Sequence, residues 1–252
     1  RVMPLPESWA SACRKYRPTG ISFPFDDASV FCLLYDPSLV CALALSLPSD
    51  PEIPAECTAF TLPGRRGEGL FTSAMDSISD RIDDYDLLFP ADHRDPDTLL
   101  ALSAMGAERI SDEYMMECEL SGKDFSSLPN LPLPITENNT HIFIDETSDA
   151  EGTVTLTFNL FAGSPRKQSP DALCRTALFH QSERACFYDF SVKKELRRQG
   201  IGQKLLLHVL LLLHRRGVSS VFLHVSGSNT AAVSLYKKTG FQITETLSYY
   251  LY

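Results

Sequence analysis

The stretch that most constrains this chain is Arg197-Arg198-Gln199-Gly200-Ile201-Gly202, because it sits between two very different neighbours. Ahead of it, Ala185 to Val192 alternates as a β-strand does. Behind it, Gln203-Lys204 and the apolar run Leu205 to Leu213 read as a helix ended by Gly217. A strand, a glycine turn and a helix together aim main-chain N–H groups at one point. The first four N–H groups of a helix lack internal partners, and the helix dipole adds positive potential there. Gly200 and Gly202 put no Cβ in a ligand's way. Arg197 and Arg198 add forked donors suited to phosphate. The stretch reads as a cradle for a pyrophosphate-like anion.

The remaining chain predicts two units. Residues 1–122 carry 9 basic against 21 acidic side chains, a net of −12, and residues 123–252 carry 14 against 11, a net of +3. Such a contrast suits two domains of different character. In the first, Glu7 to Tyr16 reads as a helix. Ser29 to Tyr35 and Leu39 to Leu47 form a hairpin around Asp36-Pro37-Ser38, and Thr58 to Leu62 is a strand. Leu70 to Ile82 is helical, Leu87 to Phe89 a strand, and a helix capped by Asp95 or Asp97 runs to Gly106. Tyr114 to Leu120 closes the unit. Residues 123–135, within a Ser-, Pro- and Asn-rich stretch, are the linker. In the second unit, 136–252, strands are expected at His141 to Asp145, Thr153 to Phe161, Leu173 to Gln181 and Ala185 to Val192. After the glycine turn and its helix come a strand from Ser220 to Val225, a helix from Asn229 to Thr239 closed by Gly240, and a last strand from Thr246 to Tyr252. Both halves share one order: antiparallel strands, glycine turn, helix, strand, helix ending in Gly, strand.

Several classes are disfavoured. The acidic first half argues against a nucleic-acid surface, which needs clustered Lys and Arg. Leu205 to Leu213 is interrupted by His208 and falls short of the roughly 20 apolar residues that cross a bilayer. No signal peptide is recognised. The cysteines (Cys13, Cys32, Cys41, Cys57, Cys118, Cys174 and Cys186) form no C-x-x-C pair and suit buried thiols in a reducing cytoplasm. No histidine spacing suggests a metal. A monomer or homodimer is expected.

The residues carry a family likeness. Arg197 to Gly202 fits the [RQ]-x-x-G-x-[GA] signature of the GCN5-related N-acetyltransferase (GNAT) superfamily. The segment Leu223-His224-Val225-Ser226-Gly227-Ser228-Asn229-Thr230-Ala231-Ala232-Val233-Ser234-Leu235-Tyr236-Lys237-Lys238-Thr239-Gly240-Phe241 resembles that family's second motif, L-x-V-x-x-x-N-x-x-A-x-x-L-Y-x-x-x-G-F. It looks closest to the branch that acetylates ribosomal-protein N-termini, although many small-amine acetyltransferases share it. Arg66-Gly67-Glu68-Gly69-Leu70-Phe71 matches the first motif except at Phe71, and aligning Gly106 with Gly240 puts Leu102 at the place of Tyr236. The resemblance therefore implies an α/β fold with a mixed sheet: two tandem GNAT-like domains, the N-terminal one degenerate. It departs from the family in lacking the usual helix pair between the first two strands of the second half, where only Glu146 to Gly152 is available.

The same resemblance implies acetyl-CoA as co-substrate and a primary amine as acceptor, on a small molecule or a peptide N-terminus. Main-chain groups of Arg198, Gln199, Gly200, Ile201 and Gly202, with Arg197, would hold the pyrophosphate. The strand ending at Val192 would bind the pantetheine arm and thioester. Tyr236 would be the general acid, or else a core tyrosine between helix and sheet. Asn229 caps its helix and is placed to touch cofactor. The base is open among Asp189, Glu195 in its charge cluster, and a water chain. Arg65, Arg66, Gly67 and Gly69 would form a second cofactor site if the first half still binds. No cysteine lies in either motif, so direct attack by the amine is expected. A non-catalytic acyl-CoA sensor is the rival reading.

Overall fold

The computed structural model describes residues 30–36, 39–125, 135–137, 139–163, 169–179 and 182–252. The expected helix from Glu7 to Tyr16, the hairpin tip at Pro37-Ser38 and most of the linker lie outside the described residues. These divide into two compact units: the described part of the chain up to Glu113 together with Glu245–Tyr252, and Tyr114–Thr244.

In the first unit, β1 (Val30–Tyr35), β2 (Leu39–Ser46) and β3 (Ala55–Thr61) form an antiparallel meander. Helix α1 (Leu70–Asp76) then leads to β4 (Leu87–Asp92), which runs parallel to β3 at Ala55↔Leu87 and Glu56↔Leu88. Helix α2 (Pro96–Met105) follows. The expected helix from Leu70 to Ile82 is shorter than its apolar period suggests. Ser77 Oγ donates to Ser73 O at 2.7 Å and Ser79 Oγ to Asp76 O at 3.0 Å, so hydroxyls compete for the carbonyls and the last turn becomes a 3-10 turn at Ser79–Arg81. Ala74 and Ile78 still face the core with Leu43, Leu45, Phe89 and Leu102, as the period predicts.

The next strand, β5, spans Glu108–Glu119 and starts earlier than expected; the division between units falls within it. In the second unit, β6 (Ile135–Glu137), β7 (Thr140–Ser148), β8 (Val154–Ala162), β9 (Ala172–Leu178) and β10 (Arg184–Val192) pair antiparallel in sequence order. β7 and β8 form one hairpin from Thr140↔Ala162 to Ser148↔Val154, so the short connection inferred at Glu146 to Gly152 is the end of β7 followed by a tight turn, and it holds no helix pair. Helix α3 (Ile201–Arg215) crosses to β11 (Ser220–Ser226), which lies parallel to β10, and helix α4 (Thr230–Lys238) follows. Leu205, Leu206, Val209, Leu210 and Leu213 seat α3 on a core with Leu156, Phe158, Leu160, Phe187 and Leu223.

The final strand, β12 (Gln242–Leu251), begins before the expected Thr246. From Glu245 onward it belongs to the first unit, where it pairs antiparallel with β4 from Leu247↔Asp92 to Leu251↔Leu88. The sequence reading put this strand with residues 136–252. Strand pairing is a long-range choice that local patterning does not carry.

Candidate functional site

The candidate site is built on the second unit. β10 and β11 pair only at Arg184↔Ser220, Ala185↔Val221 and Cys186↔Phe222. Both strands continue beyond that point, to Val192 and Ser226, without pairing to each other. The splay leaves main-chain N–H and C=O groups of β10 without sheet partners on that side. Such groups need partners, and an extended ligand arm laid into the splay would provide them.

A bulge lies at the same place. The β9–β10 register slips between Tyr188 and Ser191, and Asp189 has φ 54°. The inserted residue changes the parity of the strand: Ala185 and Phe187 face the core before it, Phe190 and Val192 after it. This corrects the expectation that Ala185 to Val192 alternates throughout, because Tyr188 and Asp189 are both exposed. The signal was present as the parity change from Phe187 to Phe190. Asp189 is 55% exposed in its side chain, and its Oδ2 accepts from Arg175 Nη1 at 2.6 Å. Glu195 lies exposed in a 3-10 turn at Lys194–Leu196.

The turn itself is well defined. Arg197 is extended (φ −68°, ψ 155°), Arg198 has φ 65°, and Gly200 caps α3 in the left-handed region at φ 80°. Arg197 Nε donates to Val192 O at 2.9 Å, and Gln199 Nε2 to Glu195 O at 2.9 Å, so both side chains brace the loop. No side chain caps α3. Its first main-chain bond is Lys204 N to Gly200 O at 2.9 Å, which leaves the amides ahead of Lys204 without helical partners. Among the described residues no carboxylate pairs with Arg197 or Arg198. Unpaired guanidinium groups and free helix-start amides are the kind of donors that suit a polyanion.

The two glycines differ in what their missing Cβ does. A Cβ on Gly200 would meet nothing within 4 Å, and its requirement is the positive φ. A Cβ on Gly202 would lie 3.1 Å from Phe190 Cζ and 3.4 Å from Val192 Cγ2, so Gly202 serves close packing of helix on strand rather than ligand approach.

Asn229 caps α4, its Oδ1 accepting from Ala232 N at 3.2 Å. Tyr236 stands on the inner face of α4 against Phe187 (6.1 Å between centroids), Phe190 (6.4 Å) and Phe241 (5.7 Å). Two of these rings belong to the splayed part of β10. The hydroxyl has no hydrogen-bond partner among the described residues and is not among the sealed, unpartnered polar atoms. Burial, with a smaller contribution from Cys174, pushes its pKa up to about 12.

The first unit repeats this geometry with its arginines held in ion pairs. Arg66 is extended (φ −68°, ψ 150°), and Gly67 and Gly69 have φ 79° and 76°. Arg66 Nε reaches Thr61 O, at 3.5 Å, as Arg197 reaches Val192. Asp95 caps α2 from the place of Asn229, accepting from Thr98 N at 3.3 Å. Ala107 N donates to Leu102 O at 3.0 Å, and Phe241 N to Tyr236 O at 3.0 Å, which confirms the alignment of Leu102 with Tyr236. However, Arg66 Nη1 is held by Asp97 at 2.7 Å and Asp95 at 3.5 Å, and Arg65 by Glu68 at 2.8 Å and Asp36 at 2.9 Å. The β2–β3 register runs unbroken from Cys41↔Thr61 to Ser46↔Glu56, so no bulge forms. Phe71, at the place of Gly202, packs edge-on against Phe89 at 6.3 Å.

A splayed parallel pair, a glycine-turn cradle and a tyrosine-bearing helix come together in the second unit. Residues 123–241 match the acetyltransferase (GNAT) family. That segment is similar to the GNAT acetyltransferase domain. It is 38% identical over 69 residues to a [ribosomal protein bS18]-alanine N-acetyltransferase of Escherichia coli (strain K12), covering 27% of this chain and 47% of that protein. It is 36% identical over 78 residues to N-alpha-acetyltransferase 50 of Danio rerio, covering 31% of this chain and 46% of that one. The chain thus spans about half the length of the curated relatives it matches. The fold is similar over 89% of this chain, and 84% of the other, to a tandem GNAT protein from the clavulanic acid biosynthesis pathway, with a TM-score of 0.62 and 16% identity. A GCN5-related N-acetyltransferase from Sphaerobacter thermophilus gives 0.59 at 14% identity, covering 96% of this chain and 84% of that chain. The fold is two GNAT-like domains in tandem.

Proposed function

We propose that this chain is an acetyl-CoA-dependent N-acetyltransferase whose second unit is catalytic. The observation that supports this most is the contrast between its cradles: Arg197 and Arg198 have no carboxylate partner among the described residues, whereas Arg65 and Arg66 are held by four carboxylates. Acetyl-CoA supplies the acyl group as a thioester. The arginines and the amides at the start of α3 bind its phosphates. The splayed edge of β10, to Val192, orients the pantetheine arm, and Asn229 lies at the neighbouring helix start.

Transfer forms a C–N bond to the amine and breaks the C–S bond, so a thiolate must be stabilised. Tyr236 keeps its proton at every working pH and donates it as a hydrogen bond to the departing sulfur. Burial pushes up the thiol pKa values of Cys118, Cys174 and Cys186, which makes them poor acyl carriers and favours direct attack. The acceptor is a primary amine, on a small molecule or a peptide N-terminus; the relative from Escherichia coli is by its name a [ribosomal protein bS18]-alanine N-acetyltransferase. Asp189, with one oxygen engaged by Arg175, takes the amine proton through water. Asp189→Asn is expected to lower kcat/KM about 100-fold, the low end for a general base. A loss under threefold would pass the role to another group, such as His224, which is exposed beyond the last β10–β11 pair.

Thiol release from acetyl-CoA across a panel of amines and peptides tests the reading. Turnover with an amine supports it. Tight acetyl-CoA binding with no release for any acceptor would favour the sensor instead.

A further inference from the structure

Asp171 is a charged residue with only 3% exposure, just before β9. Its Oδ1 accepts from Lys193 Nζ at 3.1 Å and its Oδ2 from Ala162 N at 2.9 Å. Its main-chain O accepts from Lys193 N at 2.9 Å, and Lys193 Nζ also donates to Ser169 O at 3.3 Å. Lys193 therefore meets Asp171 twice, once by main chain and once by side chain. It stands between Val192, whose carbonyl is held by Arg197, and the turn that leads into the cradle. Ala162 and Asp171 mark the two ends of the β8–β9 connection. One carboxylate thus ties that connection to the point where β10 becomes the cradle.

The first unit supplies an internal control. Aligning Arg66 with Arg197 puts Leu62 at Lys193 and Val40 at Asp171. Leu62 N donates to Val40 O at 2.9 Å, the same main-chain bond, with Val40 buried. This corner of the fold therefore forms with an apolar pair. Burying a carboxylate costs desolvation, and apolar replacement of a buried ion pair is often neutral or stabilising. The charged pair occurs in the unit whose cradle arginines have no carboxylate partner among the described residues and not in the unit whose arginines are ion-paired.

We propose that Asp171 and Lys193 are positioning residues that hold the end of β10 and the Arg197–Gly202 cradle in one setting before acyl-CoA arrives. Fixed donors bind with less ordering cost than mobile ones. The proposal rests on the second unit being the acyl-CoA site.

The experiment uses the full chain carrying Asp171→Val with Lys193→Leu, the pair of the first unit. Three quantities are measured: Tm, CoA affinity, and amide hydrogen exchange over 192–202 without ligand. The expected result is a Tm within about 2 °C of the parent, exchange at least tenfold faster, and CoA bound about tenfold more weakly. Lys193→Arg, which keeps the charge, should hold both values within threefold of the parent. A lower Tm with exchange and affinity unchanged would make the pair merely structural and overturn the proposal, as would no change in any quantity. If the parent binds no CoA, the functional reading fails by itself. The exchange arm still decides the positioning claim, since unchanged exchange over 192–202 overturns it and faster exchange upholds it.

Discussion

Removing Glu245–Tyr252 is expected to unfold the first unit, although these residues lie more than a hundred positions away in sequence from the rest of it. They pair with β4 over five register positions, and Leu87 and Tyr252 exchange main-chain bonds of 2.8 and 2.9 Å at its start. Ser248, 1% exposed, donates to Asp112 at 2.8 Å, and Tyr250 packs on the core beside Phe89. Truncating a fully buried aromatic costs about 3–5 kcal/mol, and the half-buried Tyr250 a fraction of that. Each lost hydrogen bond adds about 1 kcal/mol. Against a typical domain stability of roughly 5–15 kcal/mol, the deletion removes most of the margin. Limited proteolysis read by mass spectrometry should show new, rapid cleavage between Val40 and Glu113. Tyr250→Ala should give a partial version as a lower Tm. Unchanged protection of that region in the deletion would refute the assignment of β12 to the first unit.

The second large effect is at Tyr236. Tyr236→Phe keeps the ring contacts with Phe187, Phe190 and Phe241 and removes only the hydroxyl. Because that hydroxyl has no partner among the described residues, the fold loses little and Tm should stay within about 2 °C. The thiolate loses its donor, and kcat should fall about 100-fold at saturating acceptor, with acetyl-CoA affinity unchanged. Full turnover in the variant would remove Tyr236 from the chemistry and leave it a core tyrosine. A pH profile adds an independent reading. The folded pKa of about 12 lies above the ordinary 10.0, so the unfolded chain loses this proton first. The stability tied to the neutral phenol is fully present below pH 10 and is lost as pH rises through about 12. Activity should accordingly show no falling limb from Tyr236 below pH 10. A limb near 8 that vanishes in Tyr236→Phe would contradict the assignment.

How much of this was legible in the sequence depends on the range of the interaction. The cradle, the cap at Asn229 and the glycine that ends α4 are local: a few consecutive residues set their torsions, and their patterns name them. The close of α1 was also local, yet apolar period alone missed it, because Ser77 and Ser79 act through hydrogen bonds rather than hydropathy. The bulge at Asp189 left a trace in the parity of Phe187 and Phe190, visible once the partner strand is known. The placement of β12 left none, since its alternation suits either sheet. The ion-paired first cradle was half legible. Phe71 and Leu102 flagged it, whereas the ion pairs from Arg66 to Asp95 and Asp97 join residues far apart in the chain.

The central claim is that Arg197 to Gly202, and not its copy at Arg66 to Phe71, holds acyl-CoA. Calorimetric titration of acetyl-CoA tests it with two matched variants, Gly200→Val and Gly69→Val. Each puts a β-branched residue at a glycine with φ near 80°, a conformation that such side chains rarely adopt. The parent and Gly69→Val should each bind one acetyl-CoA per chain, and Gly200→Val should bind none. Two acetyl-CoA per chain in the parent, or binding that survives Gly200→Val and is lost in Gly69→Val, would contradict the account.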